Sequence, residues 1–132
     1  MALEAGAELA AKTYPVTRAS LVRYAGASGD FNPIHWSDRI ATAVGLPGVI
    51  AHGMFTMALV ARAVSEWTEG AEVVDFGSKF TNPVVVPDDD EGTSVTISGT
   101  VKSVEDGLAT IALTVVSGDQ KVLGMPKVSV RV

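Results

Sequence analysis

The most continuous apolar pattern in the chain runs over residues 53–67, Gly-Met-Phe-Thr-Met-Ala-Leu-Val-Ala-Arg-Ala-Val-Ser-Glu-Trp, relieved by a narrow polar stripe at Arg62, Ser65, Glu66 and Glu69. At 3.6 residues per turn this predicts a helix of about four turns, and a helix apolar on nearly all sides is a buried one. Something must wrap it. Further on the period shortens: residues 73–80, 93–104, 108–117 and 121–132 are rich in Val, Ile and Thr and partly alternate, as in Val95-Thr-Ile-Ser and Val128-Ser-Val-Arg, which predicts four strands. Each is closed by turn chemistry at Asn82-Pro83, Pro87 with the acidic run 88–91 and Gly92, Glu105-Asp-Gly, and Gly118-Asp119. Strands in succession joined by turns predict an antiparallel meander. Upstream, residues 13–16 read as a short strand. Thr17 reads as the N-cap of a helix with Leu21, Val22, Tyr24 and Ala25 on its apolar face and Gly26 and Gly29 ending it. Ser37 caps a second short helix through Val44, with Ile40, Ala41 and Val44 facing inward and Gly45 at its C-terminal end, and Leu46-Pro47-Gly48 is a turn.

This is an α+β order. A five-stranded antiparallel sheet curled around one long central helix is the hot-dog architecture; a cystatin-like or other helix-on-sheet fold shares the element order but does not call for so apolar a helix. The length of 132 residues predicts one domain, 1–132, and 47% apolar against 19% charged residues predicts a well-buried globular chain. No run reaches the ~18–20 apolar residues of a membrane span, and Glu4 and Glu8 stand where a secretory leader carries bases, so the expectation is a soluble, cytoplasmic protein. There is no cysteine, hence no disulfide, thiol nucleophile or thiolate metal site. A net charge of −5 with scattered bases argues against nucleic acid and anionic membranes as partners.

Composition leaves the chemistry open; residues 24–41 narrow it. This run, Tyr-Ala-Gly-Ala-Ser-Gly-Asp-Phe-Asn-Pro-Ile-His-Trp-Ser-Asp-Arg-Ile-Ala, places a carboxylate (Asp30), a carboxamide (Asn32) and an imidazole (His35) close together in an otherwise apolar chain. Asn32-Pro33 is turn chemistry, because proline fixes its own φ and drives the preceding residue out of the helical region. Asp30 and His35 therefore sit on a bent loop that can aim both at one point, as proton transfer requires. The plainer reading is that Asp30 caps the next turn, Asn32 is an ordinary loop residue and His35 is a satisfied donor.

Tyr24, Ser28-Gly29-Asp30-Phe31-Asn32-Pro33-Ile34-His35 and Ala41 resemble the hydratase motif of the MaoC-like, or (R)-specific enoyl-CoA hydratase, family, and Ala51-His52-Gly53-Met54 resembles that family's opening of the hot-dog helix. The resemblance spans essentially the whole chain and extends to the small (3R)-hydroxyacyl-ACP dehydratase subunits of actinobacterial fatty acid synthesis. It implies reversible syn addition of water to a trans-2-enoyl thioester, giving the (R)-3-hydroxyacyl thioester. Asp30 and His35 would hold the water and move its protons, Asn32 would hold the loop or bind the water, and the thioester carbonyl would approach the Gly53 N–H at the positive end of the helix. No cofactor is implied beyond the coenzyme A or acyl carrier protein phosphopantetheine that carries the substrate.

His52 with Asp30 and His35 has the composition of a two-His, one-carboxylate metal site. The resemblance implies metal-free chemistry, with His52 beside the substrate or positioning its turn. Phe31, Trp36 and Phe55 are candidates for a substrate tunnel, although Met54, Phe55, Met57 and Trp67 also suit a core. The resemblance further implies a homodimer, or a heterodimer with a degenerate hot-dog partner, and an acyl carrier protein as a possible further partner. Two classes of function compete: a hydro-lyase, and a non-catalytic hot-dog subunit that binds acyl thioesters or stabilises a catalytic partner. Thioester hydrolysis on the same fold is a third.

Overall fold

The computed structural model describes residues 3–132. In chain order it contains β1 (Glu8–Val16), α1 (Arg18–Ser28), a 3-10 turn (Pro33–His35), α2 (Asp38–Ala43), α3 (Gly53–Thr68), β2 (Val73–Phe80), β3 (Thr93–Glu105), β4 (Leu108–Ser117), the two-residue β5 (Gln120–Lys121) and β6 (Leu123–Arg131). The five long strands form one antiparallel sheet in the order β1-β3-β4-β6-β2, and β5 pairs with β4. The sheet wraps α3, which buries Thr56, Leu59, Val60, Ala63, Val64 and Trp67 against Val16, Val95, Ile97, Ile111, Val128 and Val130 in one core. Trp67 adds a polar anchor, its indole N–H donating to the Ala10 carbonyl at 2.8 Å. The α+β hot-dog fold expected of the pattern is the fold observed. No helix among the described residues is long and apolar enough to cross a membrane.

Four expectations change in detail. The first strand begins at Glu8, because pairing with β3 continues past Thr13 to Glu8 opposite Thr100, across a register shift between Leu9 and Lys12. The four C-terminal strands are not one meander. β3, β4 and β6 are, but β2 lies on the far edge beside β6, because the connection from Phe80 to Thr93 is long enough to cross over, and a bridge between Ile50 and Val85 fastens it on the way. The last predicted strand is split at Val122. Helix α3 is apolar on most sides but buried on one, since Met54, Ala58, Arg62 and Ser65 are exposed.

The local signals around the polar loop act much as expected. Thr17 and Ser20 form a reciprocal capping box at the start of α1, which buries Leu21 and Ala25 but leaves Val22 exposed. Gly26 lies inside the helix, and Gly29 ends it at φ 78°, a left-handed conformation that costs glycine little. Ser37 Oγ accepts the Ile40 N–H to start α2, which ends one residue early with Val44 exposed rather than inward, because only Ala41 of this short helix reaches the core. Arg18 then fastens the two helices together. Its guanidinium donates to both Asp38 carboxylate oxygens at 2.9 Å and to the Val86 carbonyl at 2.8 Å, and Asp38 Oδ1 accepts the Val49 N–H. The Arg18 hydrogen bonds and the Val49 N–H hold the Asp38 carboxyl below the usual carboxylate range. The loop from Gly29 to Ser37 is thus tied at both ends to elements packed on the core.

Candidate active site

Asn32 directs the loop. Its backbone, at φ −55° and ψ 125°, is extended as the residue before a proline must be, and its side-chain oxygen accepts the Ile34 N–H to cap the turn that Pro33 begins. Its own N–H donates to Asp30 Oδ1 at 3.1 Å. The result brings His35 inward, 8% exposed, while leaving the Asp30 side chain exposed at the rim. Asn32 therefore serves by shaping the loop, and it does not line the cavity.

His35 Nδ1 lies 2.8 Å from the Ile50 carbonyl. A carbonyl oxygen only accepts, so Nδ1 is the donor and Nε2 of the neutral ring carries the lone pair. His52, 2% exposed, lies flat against His35 with ring centroids 3.8 Å apart and planes at 22°, and its Nε2 donates to the Asp30 main-chain carbonyl at 3.1 Å. Tyr24 packs edge-on to His52 at 4.8 Å. One donor atom from each of Asp30, His35 and His52 lies within 4.8 Å of the others. Burial holds the His52 imidazole below its ordinary 6.5, outweighing the hydrogen bond to Asp30, and the neighbouring His35 pushes the same way.

That shift has a consequence for stability. Above pH 6.5 residue 52 is neutral in both folded and unfolded chains, so the shift has no effect there. As pH falls below 6.5 the unfolded chain takes up a proton that the folded chain resists, so stability falls with a slope of up to about 1.4 kcal/mol per pH unit. Urea midpoints at pH 7.5 and 5.5 should show this loss, and His52→Gln should flatten the slope between them.

These groups open on a cavity of about 430 Å³. Its wall joins Asp30, His35 and His52 to Gly53 and Thr56 at the start of α3, to Phe80 at the end of β2, to Asn82 and Val84 of the crossover, and to Leu123 of β6. His52 occupies the N-cap position of α3 but forms no side-chain cap, and the first internal bonds run from the Phe55 and Thr56 N–H groups to its carbonyl. Gly53, which lines the cavity, is thus the first residue at the positive end of the helix. A Cβ at Gly53 would lie 2.7 Å from the Phe80 ring.

The loop and the helix start bring Asp30, His35, His52 and Gly53 together. The three aromatic candidates, Phe31, Trp36 and Phe55, do not line this cavity, and Trp36 is exposed. Phe31 is 62% exposed, its carbonyl accepting the Trp36 indole N–H, and Phe55 stacks on Tyr24 at 5.3 Å beside a separate surface depression. Phe80, Asn82 and Leu123 were not foreseen. Residues 80–82 looked like strand-end and turn chemistry, and nothing local in the sequence marks a wall supplied by a crossover.

Residues 2–119 match the model of the MaoC-like domain family. A 3-hydroxyacyl-thioester dehydratase of Mycobacterium tuberculosis is 40% identical over 72 residues, 54% of this chain and 25% of that protein. The fatty acid synthase subunit beta of Saccharomyces cerevisiae is 50% identical over 44 residues, 33% of this chain and 2% of that protein. A solved MaoC-like dehydratase superposes with a TM-score of 0.92 at 37% identity, covering 98% of this chain and 40% of that one. An (R)-hydratase from A. caviae involved in PHA biosynthesis gives 0.86 at 24% identity over 98% and 97% of the two chains, a likeness of fold. The chain thus spans a quarter of the mycobacterial dehydratase and 40% of the solved dehydratase chain. With the sheet order, the loop and the helix start all in place and the family model matched over most of the sequence, the chain belongs to the MaoC-like domain family.

Proposed function

We propose that this chain is a hydro-lyase that interconverts trans-2-enoyl and (R)-3-hydroxyacyl thioesters, the acyl group being carried on coenzyme A or acyl carrier protein. One observation supports the reading: Asp30, His35 and Gly53 line the same cavity, with His35 Nδ1 engaged by the Ile50 carbonyl and Gly53 at the start of α3, which has no side-chain cap. A water between Asp30 and His35 gives one proton to the pair as its oxygen bonds to C3. The pair returns a proton to C2, and the negative charge that gathers on the thioester oxygen between the two events is met by the Gly53 N–H. Catalysis needs no cofactor in this scheme. The bond from His35 Nδ1 to the Ile50 carbonyl leaves Nε2 of the neutral ring as the nitrogen that can take the proton in this scheme.

The test is hydration of crotonyl-CoA by the purified chain, followed as loss of enoyl-thioester absorbance. Release of free thiol instead would make it a thioesterase, and inactivity on short and long enoyl chains would make it a non-catalytic subunit.

The same reading includes a second hot-dog subunit. β2 is an edge strand whose residues are mostly exposed: Phe80, with Met54 of α3, presents apolar surface at the cavity, and Val73 and Val74 do so at the other end of the strand. Solved structures of similar fold are titled as the ChsH1-ChsH2 and HadBC complexes of Mycobacterium tuberculosis, at 24% and 17% identity. Sedimentation should give twice the 13.7 kDa chain mass for the purified chain. A Val74→Lys substitution on the open edge should return it to monomer, and a wild-type monomer would point to a heteromeric partner.

A further inference from the structure

The chemistry proposed above uses Asp30, His35 and Gly53 and leaves His52 without a task, although His52 is the most deeply buried ionisable group at the site. Its position is unusual in three respects. It donates through Nε2 to the main-chain carbonyl of Asp30, the residue that carries the carboxylate. It lies face to face with His35 at 3.8 Å. It also directly precedes Gly53 and occupies the N-cap of α3 while making no side-chain cap, its carbonyl alone accepting the Phe55 and Thr56 N–H groups. Its Nδ1 is buried with no hydrogen-bond partner among the described residues, so local stability alone does not account for a histidine here.

We infer that His52 is a positioning residue that locks the Asp30 loop and the His35 ring to the start of α3, fixing the acid-base pair against the Gly53 N–H. This rests on the hydro-lyase reading. The three groups come from two separate stretches, 30–35 and 53, and His52 is the side chain that joins them. Its N–H fixes the height of the Asp30 backbone. Its ring lies flat against the His35 ring, whose Nδ1 is engaged by the Ile50 carbonyl, and adds packing on the face of that ring. The charged and titratable groups that face it are Asp30 and His35 from the loop and the Tyr24 hydroxyl group's ring from α1. Burial favours its neutral form, so it does not oppose a proton arriving on the stacked His35 during turnover.

Two variants separate the donor from the ring. His52→Phe keeps an aromatic slab against His35 and loses the N–H to Asp30. His52→Gln keeps a donor at similar reach and loses the slab. With enoyl-CoA as substrate, His52→Phe should lower kcat about 10²-fold, the loss expected for a reacting group displaced by about 1 Å, with KM changed less than about 3-fold. His52→Gln should recover most of that loss. If instead both variants retain the wild-type kcat, or lose it only in proportion to the folded fraction measured by thermal denaturation, the assignment is overturned. Should the wild-type chain itself show no turnover, the hydro-lyase reading fails separately, and the positioning role is read from the His35 imidazole by 15N NMR. Its midpoint should move in His52→Gln, which removes the stacked ring, and an unmoved midpoint in that variant would overturn the role.

Discussion

Asp30→Asn should lower crotonyl-CoA hydration by about 10³-fold while leaving the fold intact, within the range lost when a positioned acid-base group is removed. The fold should survive because the structural duty of Asp30 is small. Its side chain is exposed, and its one local partner, the Asn32 N–H on Oδ1, can be accepted equally by a carboxamide oxygen. What asparagine cannot do is exchange a proton. His35→Asn is the matching change: its carboxamide can still donate to the Ile50 carbonyl in place of Nδ1, but nothing replaces the second ring nitrogen as a proton carrier. Each single variant should be nearly as impaired as Asp30→Asn/His35→Asn, because two groups that share one proton transfer fail together. Equal thermal midpoints with activity lost in all three would place the defect in the chemistry. An Asp30→Asn variant within about 3-fold of wild type would exclude the acid-base role and return the loop to its plain structural reading.

The second large effect is expected at Gly53. Gly53→Ala should cut kcat by about 10²-fold, some 3 kcal/mol of transition-state stabilisation, a typical loss for one oxyanion donor. The added methyl has two consequences, and they can be told apart. It would meet the Phe80 ring at 2.7 Å, and it would stand beside the N–H that the thioester oxygen must approach. Phe80 is 60% exposed at the end of an edge strand, so the ring can yield, and Phe80→Ala removes the clash outright. In the double variant Gly53→Ala/Phe80→Ala the thermal midpoint should recover while kcat does not. Recovery of both would show that the glycine is there to make room for Phe80 and that the oxyanion contact lies elsewhere.

Much of this site was legible because its information is local. Asn32-Pro33 forces the bend, Thr17, Ser37 and Gly29 set the helix ends on either side, and the apolar run after Gly53 requires a helix that something covers. Those features depend on neighbours within a few positions, where sequence patterns speak directly. What stayed hidden depends on contacts between distant stretches. The period-2 pattern of β2 gives no hint that its partner is β6 rather than β3, since both are Val-rich and alternate. For the same reason Phe80, Asn82 and Leu123 could not be placed at the cavity. Phe31 and Phe55 were attractive as aromatic residues next to polar ones, yet side-chain direction decides their fate. Phe31 follows Asp30 on a bend that turns it to solvent, and Phe55 lies two residues beyond Gly53 on a helix, on a different side, where Tyr24 takes it. His52 was noticed, but its link to the Asp30 carbonyl is a backbone contact that no residue pattern encodes.

The sheet order also governs when the protein can first work. Glu8 pairs with Thr100, and Val73 pairs with Val130, so both outer strands wait for partners made much later by the ribosome. Pairings so far apart in sequence delay folding through the entropy of closing long loops. Asp30, His35 and Gly53 will have left the exit tunnel long before β6 supplies Leu123 and secures β2 with Phe80. A nascent chain therefore carries Asp30, His35 and Gly53 before the far wall of their cavity exists, and β2 stays unpaired, open to chaperones or to mispairing, until β6 arrives.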